Sequence, residues 1–507
     1  MSGLAVAYGK PDPLTVEEMF RKIGYRGPYL SGIWKNKKVL MAQNYLKADC
    51  ATANPEEAKV PVPNSRDGDL KICYDGQMGN LEELALGFGV SNGPFREERL
   101  LLHLHQQYGR NMFQFLDDAI FAFVISNGDD LFAARDLLGI KTLFYGRIDD
   151  TMYLATELKS LITITDDVHE FPAGHYMDST GNLFRFAELP KSPPEVLHTD
   201  LNQAIEDIRD IIQRSLRNRV DFSVPTAGLL SGGMDSSVIN YLASELYRDK
   251  FGNDARLKTF AVGVGESEDI RSARVLADHI NSEHYELIVN LEQVLEALPG
   301  VIYYLESFDP SLVRSSVSNF LISKYAREQG IELLLSGEGG DEIFCGYIYL
   351  KDFPEEELFT RQMDCLGFLH NNASLRLDRM NQCNGVRVVA PLISGELLQY
   401  ALALPPQYKQ KPEGDQKIEK WIFRKAFESF LPETLVWRGK QEFSQGSGSG
   451  SILPPYFETV ITDDELADAQ GKRPVVRSKE ELYYFRIFTE HFGANRAVKT
   501  VGQWICL

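Results

Sequence analysis

Two short segments of the chain carry the residue types that bind phosphate together with a divalent cation. The first, residues 231–237 (Ser-Gly-Gly-Met-Asp-Ser-Ser), lies between an apolar run ending at Leu230 and a helical pattern beginning near Ser236. The amides of a glycine turn and the positive end of a helix both attract an anion. A carboxylate beside such an anion, here Asp235, indicates a bridging Mg²⁺. We therefore predict a phosphate-binding loop, although Ser-Gly-Gly alone also fits a plain tight turn.

The second segment, residues 336–342 (Ser-Gly-Glu-Gly-Gly-Asp-Glu), follows the apolar run 331–335. Its three carboxylates and three glycines suit a metal-bridged phosphate, and a solvated acidic turn is the alternative. A Walker A loop is excluded as the source of phosphate binding. Its nearest imitation, at 139–142, has Ala134 where the leading glycine belongs.

The elements that must position these segments change character along the chain. Residues 1–190 alternate short strand patterns, such as 120–125, with helical ones, such as 97–108, which predicts antiparallel sheets covered by helices. A Pro-containing linker follows at 191–194, and residues 200–507 begin with strands that alternate with helices, the pattern of a doubly wound parallel sheet. Past about residue 350 the pattern is mostly helical. The Ser/Gly tract at 444–451 is interpreted either as a flexible linker or as a closing loop.

Bulk properties restrict the class of protein. The 507-residue chain is long enough for two or three domains, and its 44% hydrophobic and 25% charged residues are those of a globular protein. A net charge of −19 argues against a nucleic-acid partner. The six dispersed cysteines predict reduced thiols, no zinc site is indicated at His103 or His105, and no run is long enough to span a membrane. We expect a cytoplasmic protein with no membrane partner.

Taken in order, the motifs resemble those of the glutamine-dependent asparagine synthetase family over nearly the whole chain. The resemblance implies an N-terminal-nucleophile αββα sandwich, α+β in class, at residues 1–190. It also implies an α/β ATP-pyrophosphatase domain with a doubly wound parallel sheet and a helical C-terminal part at 200–507. The motifs that carry the resemblance are at 25–28, 135–140, 171–174, 229–237, 259–263, 305–309 with Arg314, 336–342 and 437–443.

The resemblance also implies roles for individual residues. Asp235 and Asp341 should hold Mg²⁺, while Glu338 and Lys440 should serve the adenylate-forming and amide-forming steps. The acceptor side of the site would include Glu306, Asp309, Arg314 and Arg387. The residues expected to contact ATP or its pyrophosphate are Leu230, Ser231, Gly232, Gly233, Asp235, Ser236, Val262, Gly263, Ser336 and Gly337.

The front domain departs from the family at each position that glutamine hydrolysis requires. Ser2 stands where the family has its nucleophilic cysteine, and a serine hydroxyl is a poor nucleophile without strong activation. Tyr45 replaces the arginine that holds the glutamine carboxylate, and Glu97 or Glu98 replaces the aspartate that holds its amine. Asp75-Gly76 replaces the Asn-Gly pair, putting a carboxylate where an oxyanion hole needs a donor. We expect no glutaminase activity; a retained serine hydrolase is the alternative.

A second departure lies on the acceptor side. The family pattern D-R-x-x-M followed by E-x-R-x-P-F-L-D is reduced here to Asp378-Arg379, Arg387, Val389 and residues 391–394 (Pro-Leu-Ile-Ser). The glutamate, the arginine and the final aspartate of that pattern are missing. Either the activated carboxylate differs from aspartate, or a structural ion pair has drifted.

The leading hypothesis is an AMP- and pyrophosphate-forming amide ligase that uses ATP and Mg²⁺ and captures an adenylated carboxylate, aspartate by default, with ammonia or another amine. One alternative is a specialised-metabolite ligase similar to β-lactam synthetase, in which a tyrosine stands where this chain has Glu338. A nucleotide-binding pseudoenzyme is a second alternative. Adenylation of nucleic acid is disfavoured, because the chain has no basic patch. The partners would be small molecules, with a homodimer as a further expectation.

Overall fold

A computed structural model describes residues 2–49, 63, 65, 68–414, 416–472 and 476–504, so Cys50 and Cys506 lie outside the described residues. The chain divides into two compact units. Unit 1 comprises Met1–Leu189, Gly385–Arg387 and Ala494–Thr500, and unit 2 comprises Pro190–Asn384, Val388–Gly493 and Val501–Leu507. The sequence suggested a single boundary between 190 and 200, whereas the structure adds two short later segments to unit 1.

Eighteen strands are formed in the described part of the chain: β1 (Ser2–Tyr8), β2 (Leu30–Lys35), β3 (Val39–Tyr45), β4 (Lys71–Met78), β5 (Ala119–Ser126), β6 (Leu131–Arg135), β7 (Phe144–Ile148), β8 (Thr151–Ala155), β9 (Val168–Glu170), β10 (His175–Met177), β11 (Leu183–Arg185), β12 (Thr226–Leu229), β13 (Lys258–Val264), β14 (Glu283–Val289), β15 (Leu333–Leu335), β16 (Arg387–Val389), β17 (Gln410–Glu413) and β18 (Gln416–Glu419).

The α-helices of the same part of the chain are α1 (Pro13–Lys22), α2 (Leu81–Gly87), α3 (Arg96–Tyr108), α4 (Leu158–Ile162), α5 (Leu201–Arg219), α6 (Met234–Phe251), α7 (Glu268–His279), α8 (Leu291–Leu305), α9 (Pro310–Glu328), α10 (Gly340–Ile343), α11 (Glu355–Phe368), α12 (Ala373–Gln382), α13 (Gly395–Leu402), α14 (Pro406–Lys409), α15 (Trp421–Phe427), α16 (Glu433–Val436), α17 (Phe443–Gly446), α18 (Ser449–Val460), α19 (Asp463–Lys472) and α20 (Lys479–Phe492). Short 3₁₀ segments occur at Gly24–Arg26, Lys47–Asp49, Gly109–Phe115, Ile348–Asp352, Leu369–Asn371 and Arg496–Thr500.

Unit 1 is a four-layer sandwich. One sheet has the order β2-β3-β1-β8-β7-β9 and the other β11-β10-β6-β5-β4. Buried apolar side chains of both sheets, among them Val6, Met41, Val124 and Leu154, form one core cluster. Helix α1 packs on β1 and β3, and α3 packs on β4. This arrangement confirms the predicted αββα sandwich.

Unit 2 contains a five-stranded sheet of order β14-β13-β12-β15-β16, in which β12, β13, β14 and β15 are parallel. The chain order reverses between β12 and β15, so the carboxyl ends of these two strands flank a topological switch point, where ligands of open α/β sheets bind. The doubly wound parallel sheet and the helical region after it are confirmed.

Local sequence explains where several helices begin. Asp200, Ser267 and Asp309 each accept a backbone amide hydrogen bond at the start of α5, α7 and α9, and Asn290 forms a capping box with Gln293 at the start of α8. Strand β2 and the three-residue strands β9, β10 and β11 escaped sequence prediction, because they are short or half-exposed and carry little apolar pattern.

The Ser/Gly tract at 444–451 is not a flexible linker. Helix α17 ends and helix α18 begins within it, and Ser447 and Ser449 are fully buried. The Ser447 carbonyl accepts a hydrogen bond from the Val264 amide at 2.7 Å, and a Cβ added at Gly446 would lie 2.4 Å from Asp269 Oδ1. The small residues are needed because the segment packs closely against strand β13 and helix α7, so the linker interpretation was wrong.

Close packing under the first loop predicts a stability effect at Gly228. A Cβ there would lie 1.7 Å from Asn240 Oδ1, and the amide of Asn240 donates to the carbonyls of Leu229 and Ser236 at 2.9 and 2.8 Å. We expect Gly228→Ala to destabilise the protein by about 1–3 kcal/mol, seen as a lower thermal midpoint. Gly300→Ala in α8 is the matched control, since a Cβ there meets no atom within 4 Å. Equal midpoints for the two variants would contradict the prediction.

Candidate active site

The first predicted loop connects β12 to α6. Gly232 has φ +69°, and a Cβ there would come 2.3 Å from the Cβ of Ser272, so only glycine fits. The hydroxyl of Ser236 donates to the Gly233 carbonyl at 3.0 Å and lies 3.1 Å from the hydroxyl of Ser231. These bonds hold the loop in a compact turn at the start of a long helix, which favours an anion at its amides.

The second predicted loop connects β15 to α10 and touches the first. A Cβ added at Gly337 would lie 2.6 Å from the backbone of Asp235, and one added at Gly340 would lie 2.1 Å from Asp235 Oδ1. Because Gly228 of β12 pairs with Leu335 of β15 in a parallel register, both loops leave the sheet at the same edge. The two glycines allow the loops to close on one another.

Two lysines, Lys420 buried and Lys440 partly exposed, join the acidic residues of these loops. The ammonium of Lys420 contacts Asp235 Oδ2 and lies 2.7 Å from Asp341 Oδ1, and the ammonium of Lys440 lies 2.6 Å from Asp341 Oδ2. Burial alone would raise the pKa of Asp341, but Lys420 and Lys440 hold it well below its usual range. Burial would lower the pKa of Lys440, but Asp341 and Asp235 raise it. Asp341 and Lys440 are therefore both charged at neutral pH.

The carboxylates fit a magnesium ion in one specific respect. Asp235 Oδ1 is a buried oxygen with no hydrogen-bond partner in the described part of the chain, so it is available as a ligand. No cluster of three or more His, Cys, Asp or Glu residues suited to a metal occurs among the described residues. Mg²⁺ is commonly held by one or two carboxylates together with substrate phosphates, and Asp235 with Asp341 meets that pattern.

Glu338 lies in the same cleft and is paired with a residue that the sequence did not reveal. The guanidinium of Arg376, from helix α12, forms an ion pair with the Glu338 carboxylate and stands 5.1 Å from the ring centre of Phe443. Burial lowers the pKa of Arg376 to about 10, which leaves it charged at neutral pH. Arg376 therefore stabilises the ionised form of Glu338.

Arg438 ties the first loop to helix α7. Its guanidinium donates to the Ser231 carbonyl at 3.3 Å and forms ion pairs with Asp269 at 2.9 Å and Glu268 at 3.1 Å. Burial raises the pKa of Asp269 to about 6, although Arg438 opposes the rise. The arginine thus fixes the loop through a carboxyl group that titrates in mildly acidic solution.

One cleft in unit 2 brings most of the predicted residues together. Gly232 and Gly263 do not line it: Gly232 is a buried turn residue, and a Cβ at Gly263 would lie 2.6 Å from Ile270 and Ser267. Lys420 and Arg376 line the cleft but were missed, because a lone lysine or arginine beside an apolar run has no motif that distinguishes it from a surface residue. The predicted residues that line the cleft are Leu230, Ser231, Gly233, Asp235, Ser236, Val262, Ser336, Gly337, Glu338, Asp341 and Lys440.

The four acceptor-side candidates do not line this cleft. Glu306 is paired with Arg379 at 3.1 Å, and Arg314 with Glu480. Arg387 belongs to unit 1, where it donates to the Ala48 carbonyl at 3.2 Å.

Asp309, the remaining candidate, caps helix α9 and pairs with Arg477 at 2.8 Å. The structure thus gives all four candidates partners away from the phosphate loops. Other residues that line the cleft include Ser311, Asn372 and Arg376.

The front pocket is filled by a buried ionic network. Ser2 is 1% exposed; its backbone N–H donates to Asp75 Oδ1 at 3.1 Å and its hydroxyl donates to the Tyr74 carbonyl at 2.5 Å. Asp75 also pairs with Arg26 at 3.1 Å and with Lys141 at 3.4 Å. The carboxylate that replaced the oxyanion-hole amide is therefore committed to an internal network.

The other substituted positions of the front pocket are packed as well. Tyr45 pairs with Ser2 across the sheet and packs against Phe95, with the two rings tilted by 52° and their centres 5.1 Å apart. A Cβ at Gly76 would lie 2.5 Å from the Ile120 carbonyl, so the glycine is needed for strand packing. Glu97 accepts hydrogen bonds from the Tyr74 hydroxyl and the Met78 amide, both at 2.9 Å, and burial raises its pKa.

Comparisons with known proteins define the class. Residues 207–364 and 359–503 match the asparagine synthase family model, and residues 1–192 match the glutamine amidotransferase domain model. With the cleft described above, these matches define an ATP-dependent carbon–nitrogen ligase preceded by an amidotransferase-type domain.

Among the similar proteins is an asparagine synthetase [glutamine-hydrolyzing] of Triphysaria versicolor, 30% identical over 99% of this chain and 88% of its own length. A second such enzyme, from Lotus japonicus, is 30% identical over 98% of this chain and 87% of its own. A probable asparagine synthetase of Schizosaccharomyces pombe (strain 972 / ATCC 24843) is 30% identical over 98% and 93%. The chain belongs to the asparagine synthetase family, as the sequence motifs predicted. None of the helices in the described residues is long and apolar enough to cross a membrane.

The Asp269–Arg438 pair predicts a pH dependence of nucleotide binding. As the pH falls from about 7 to about 5, through the pKa of Asp269 at about 6, Asp269 gains a proton and the ion pair that holds Arg438 against Ser231 weakens. We expect the dissociation constant for ATP, measured calorimetrically, to rise about threefold to tenfold. Because ATP also titrates in this range, Asp269→Asn is the control. It should bind weakly at both pH values, with a smaller pH dependence, and an unchanged pH profile in that variant would contradict the prediction.

Proposed function

We propose that this protein adenylates a carboxylate with ATP and then forms an amide with ammonia or another amine. The convergence of Asp235 and Asp341 with Lys420 and Lys440 at one cleft is the observation that carries the proposal. Loops after two different strands supply the carboxylates, and distant parts of the chain supply the lysines. A plain turn at either glycine segment would not require such convergence.

In the first step a carboxylate oxygen of the acceptor attacks the α-phosphorus of ATP, and pyrophosphate leaves. Negative charge accumulates on the departing phosphates. Lys440, whose ammonium already lies at Asp341, offsets that charge. Asp235 and Asp341 would hold Mg²⁺, which when bound neutralises phosphate charge. The positive end of helix α6, which begins directly after the first loop, orients the phosphates.

In the second step the amine nitrogen attacks the acyl carbon of the adenylate. The bond between that carbon and the phosphate oxygen breaks, and AMP leaves with its electron pair. The attacking nitrogen must lose a proton, and Glu338 is the carboxylate in the cleft suited to accept it. Arg376 holds Glu338 in the ionised form that this role requires. β-Lactam synthetase has a tyrosine at the position of Glu338, so the glutamate favours the asparagine-type reaction. Aspartate is then the default acceptor, and a β-lactam-type ligase is the second candidate.

We further propose that the front domain does not hydrolyse glutamine, so that ammonia or another amine enters from solution. Ser2 is buried with its hydroxyl bonded to a main-chain carbonyl, and Asp75 offers a negative charge where a developing oxyanion needs donors. The relatives named above carry glutamine-hydrolyzing names, so this proposal separates the present chain from them.

Removal of Lys440 tests the ligase proposal. With aspartate, ammonium and Mg·ATP, we expect the wild-type protein to release pyrophosphate and AMP, and Lys440→Met to lower the rate constant about 100-fold. Lys472→Met is the control, because the Lys472 side chain is 71% exposed, pairs with Asp468 at 2.7 Å and does not line the cleft. The same assay with a panel of other carboxylates and amines distinguishes the β-lactam-type ligase from the asparagine-type ligase, because each should release pyrophosphate only with its own substrates. Binding of ATP without pyrophosphate release from any carboxylate would support the pseudoenzyme instead.

Restoring the thiol tests the proposal for the front domain. We expect Ser2→Cys to leave glutamate release from glutamine at the level of the buffer blank, because Asp75 remains bound to Arg26 and Lys141 and supplies no oxyanion donor. The measurement is glutamate formation with and without ATP, using an active glutaminase as the positive control. Glutamate release by the wild-type protein would refute the proposal, and release by the Ser2→Cys variant alone would show that the nucleophile was the only defect.

A further inference from the structure

The ammonium of Lys420 occupies the position between the two carboxylates that a bridging cation would take. It contacts Asp235 Oδ2 and lies 2.7 Å from Asp341 Oδ1, and its side chain is 2% exposed. The lysine side chain passes beside Gly346, where an added Cβ would lie 1.9 Å from Lys420 Cε. A glycine therefore makes the room through which the lysine reaches the carboxylates.

The charges of this cluster are already balanced without a metal. Asp235 and Asp341 face the two ammonium groups of Lys420 and Lys440. Glu342, the next residue along the chain, instead faces Tyr347 and accepts a hydrogen bond from its hydroxyl at 2.6 Å. A free divalent cation would enter a neutralised site and repel both lysines. An ion bound to ATP enters as part of a complex whose net charge is negative, so the lysines attract that complex and do not repel it.

We infer that Lys420 is an internal substitute for the metal, which holds Asp235 and Asp341 together before ATP binds and prevents Mg²⁺ from binding in its absence. The inference rests on the proposed function insofar as the two carboxylates receive the ion that accompanies ATP. When the nucleotide and its ion bind together, the ammonium gives up its position between the carboxylates and becomes available to the phosphates. Lys420 is thus a positioning residue that couples metal binding to nucleotide binding.

Lys440 does not serve as this substitute. Its ammonium reaches only Asp341, on the oxygen opposite to the one that Lys420 contacts, whereas Lys420 contacts both acidic residues. Loss of Lys420 would leave Asp235, which already has one unbonded buried oxygen, without the ammonium group that contacts it. Such a carboxylate is a strong attractor for a divalent ion. The two lysines therefore predict different metal-binding behaviour.

The test is a titration of the nucleotide-free protein with Mn²⁺, with the free ion counted by electron paramagnetic resonance. We expect Lys420→Met to bind Mn²⁺ about tenfold or more tightly than the wild-type protein, which corresponds to at least about 1.4 kcal/mol. Addition of a non-hydrolysable ATP analogue should tighten Mn²⁺ binding strongly in the wild-type protein and less in the variant. Lys420→Gln, which keeps a donor but not the charge, should behave as Lys420→Met does.

Lys409→Met is the control for loss of a buried lysine, because Lys409 is 4% exposed and donates to Gln362 at 2.9 Å, away from the cleft. It should leave Mn²⁺ binding unchanged. Equal Mn²⁺ affinity of the wild-type, Lys420→Met and Lys420→Gln proteins would overturn the inference, as would tight Mn²⁺ binding by the nucleotide-free wild-type protein. Either result, obtained with a protein that still releases pyrophosphate, would leave the proposed function standing, whereas absent pyrophosphate release would count against that function alone.

Discussion

The arrangement of the cleft depends on attraction between two carboxylates and two ammonium groups in a poorly hydrated space. Asp235 and Asp341 would repel each other if they stood alone, and the lysines alone would do the same. Together they hold four distant parts of the chain at one point: the two strand ends, the start of α15 and the segment before α17. The sheet supplies the register that brings the loops together, but opposite charge keeps their side chains turned toward each other.

A comparable network performs a different task in the front domain. Asp75 binds Arg26, Lys141 and the amide of Ser2, while Glu157 binds Arg26 at 2.7 Å. Buried ion pairs add little net stability, but loss of one partner leaves a charge unpaired at high cost. The charged groups of this pocket are thus paired with one another, whereas in the cleft Asp235 Oδ1 has no hydrogen-bond partner among the described residues.

The accuracy with which the sequence predicted each element depends on the length of its apolar or periodic pattern. Long apolar or periodic stretches such as β5, β13 and α3 lie within two residues of their predicted limits, and the glycine-rich loops were located by composition alone. Lys420 and Arg376 could not be found, because their importance arises from side chains more than 30 residues away in the chain. Glu306 and Arg314 were assigned to the acceptor side by motif, yet local ion pairs determine where their side chains lie.

The Ser/Gly tract at 444–451 has a practical consequence for anyone who wishes to divide or label this protein. Because its composition is that of a spacer, it is an obvious choice for inserting a protease site or a fluorescent tag, or for circular permutation. A Cβ added at Gly446 would lie 2.4 Å from Asp269 Oδ1, and one added at Gly448 would lie 3.2 Å from Val264. Ser444 lines the cleft. An insertion there would disturb the carboxyl group that holds Arg438 and hence the nucleotide loop, so labels belong elsewhere.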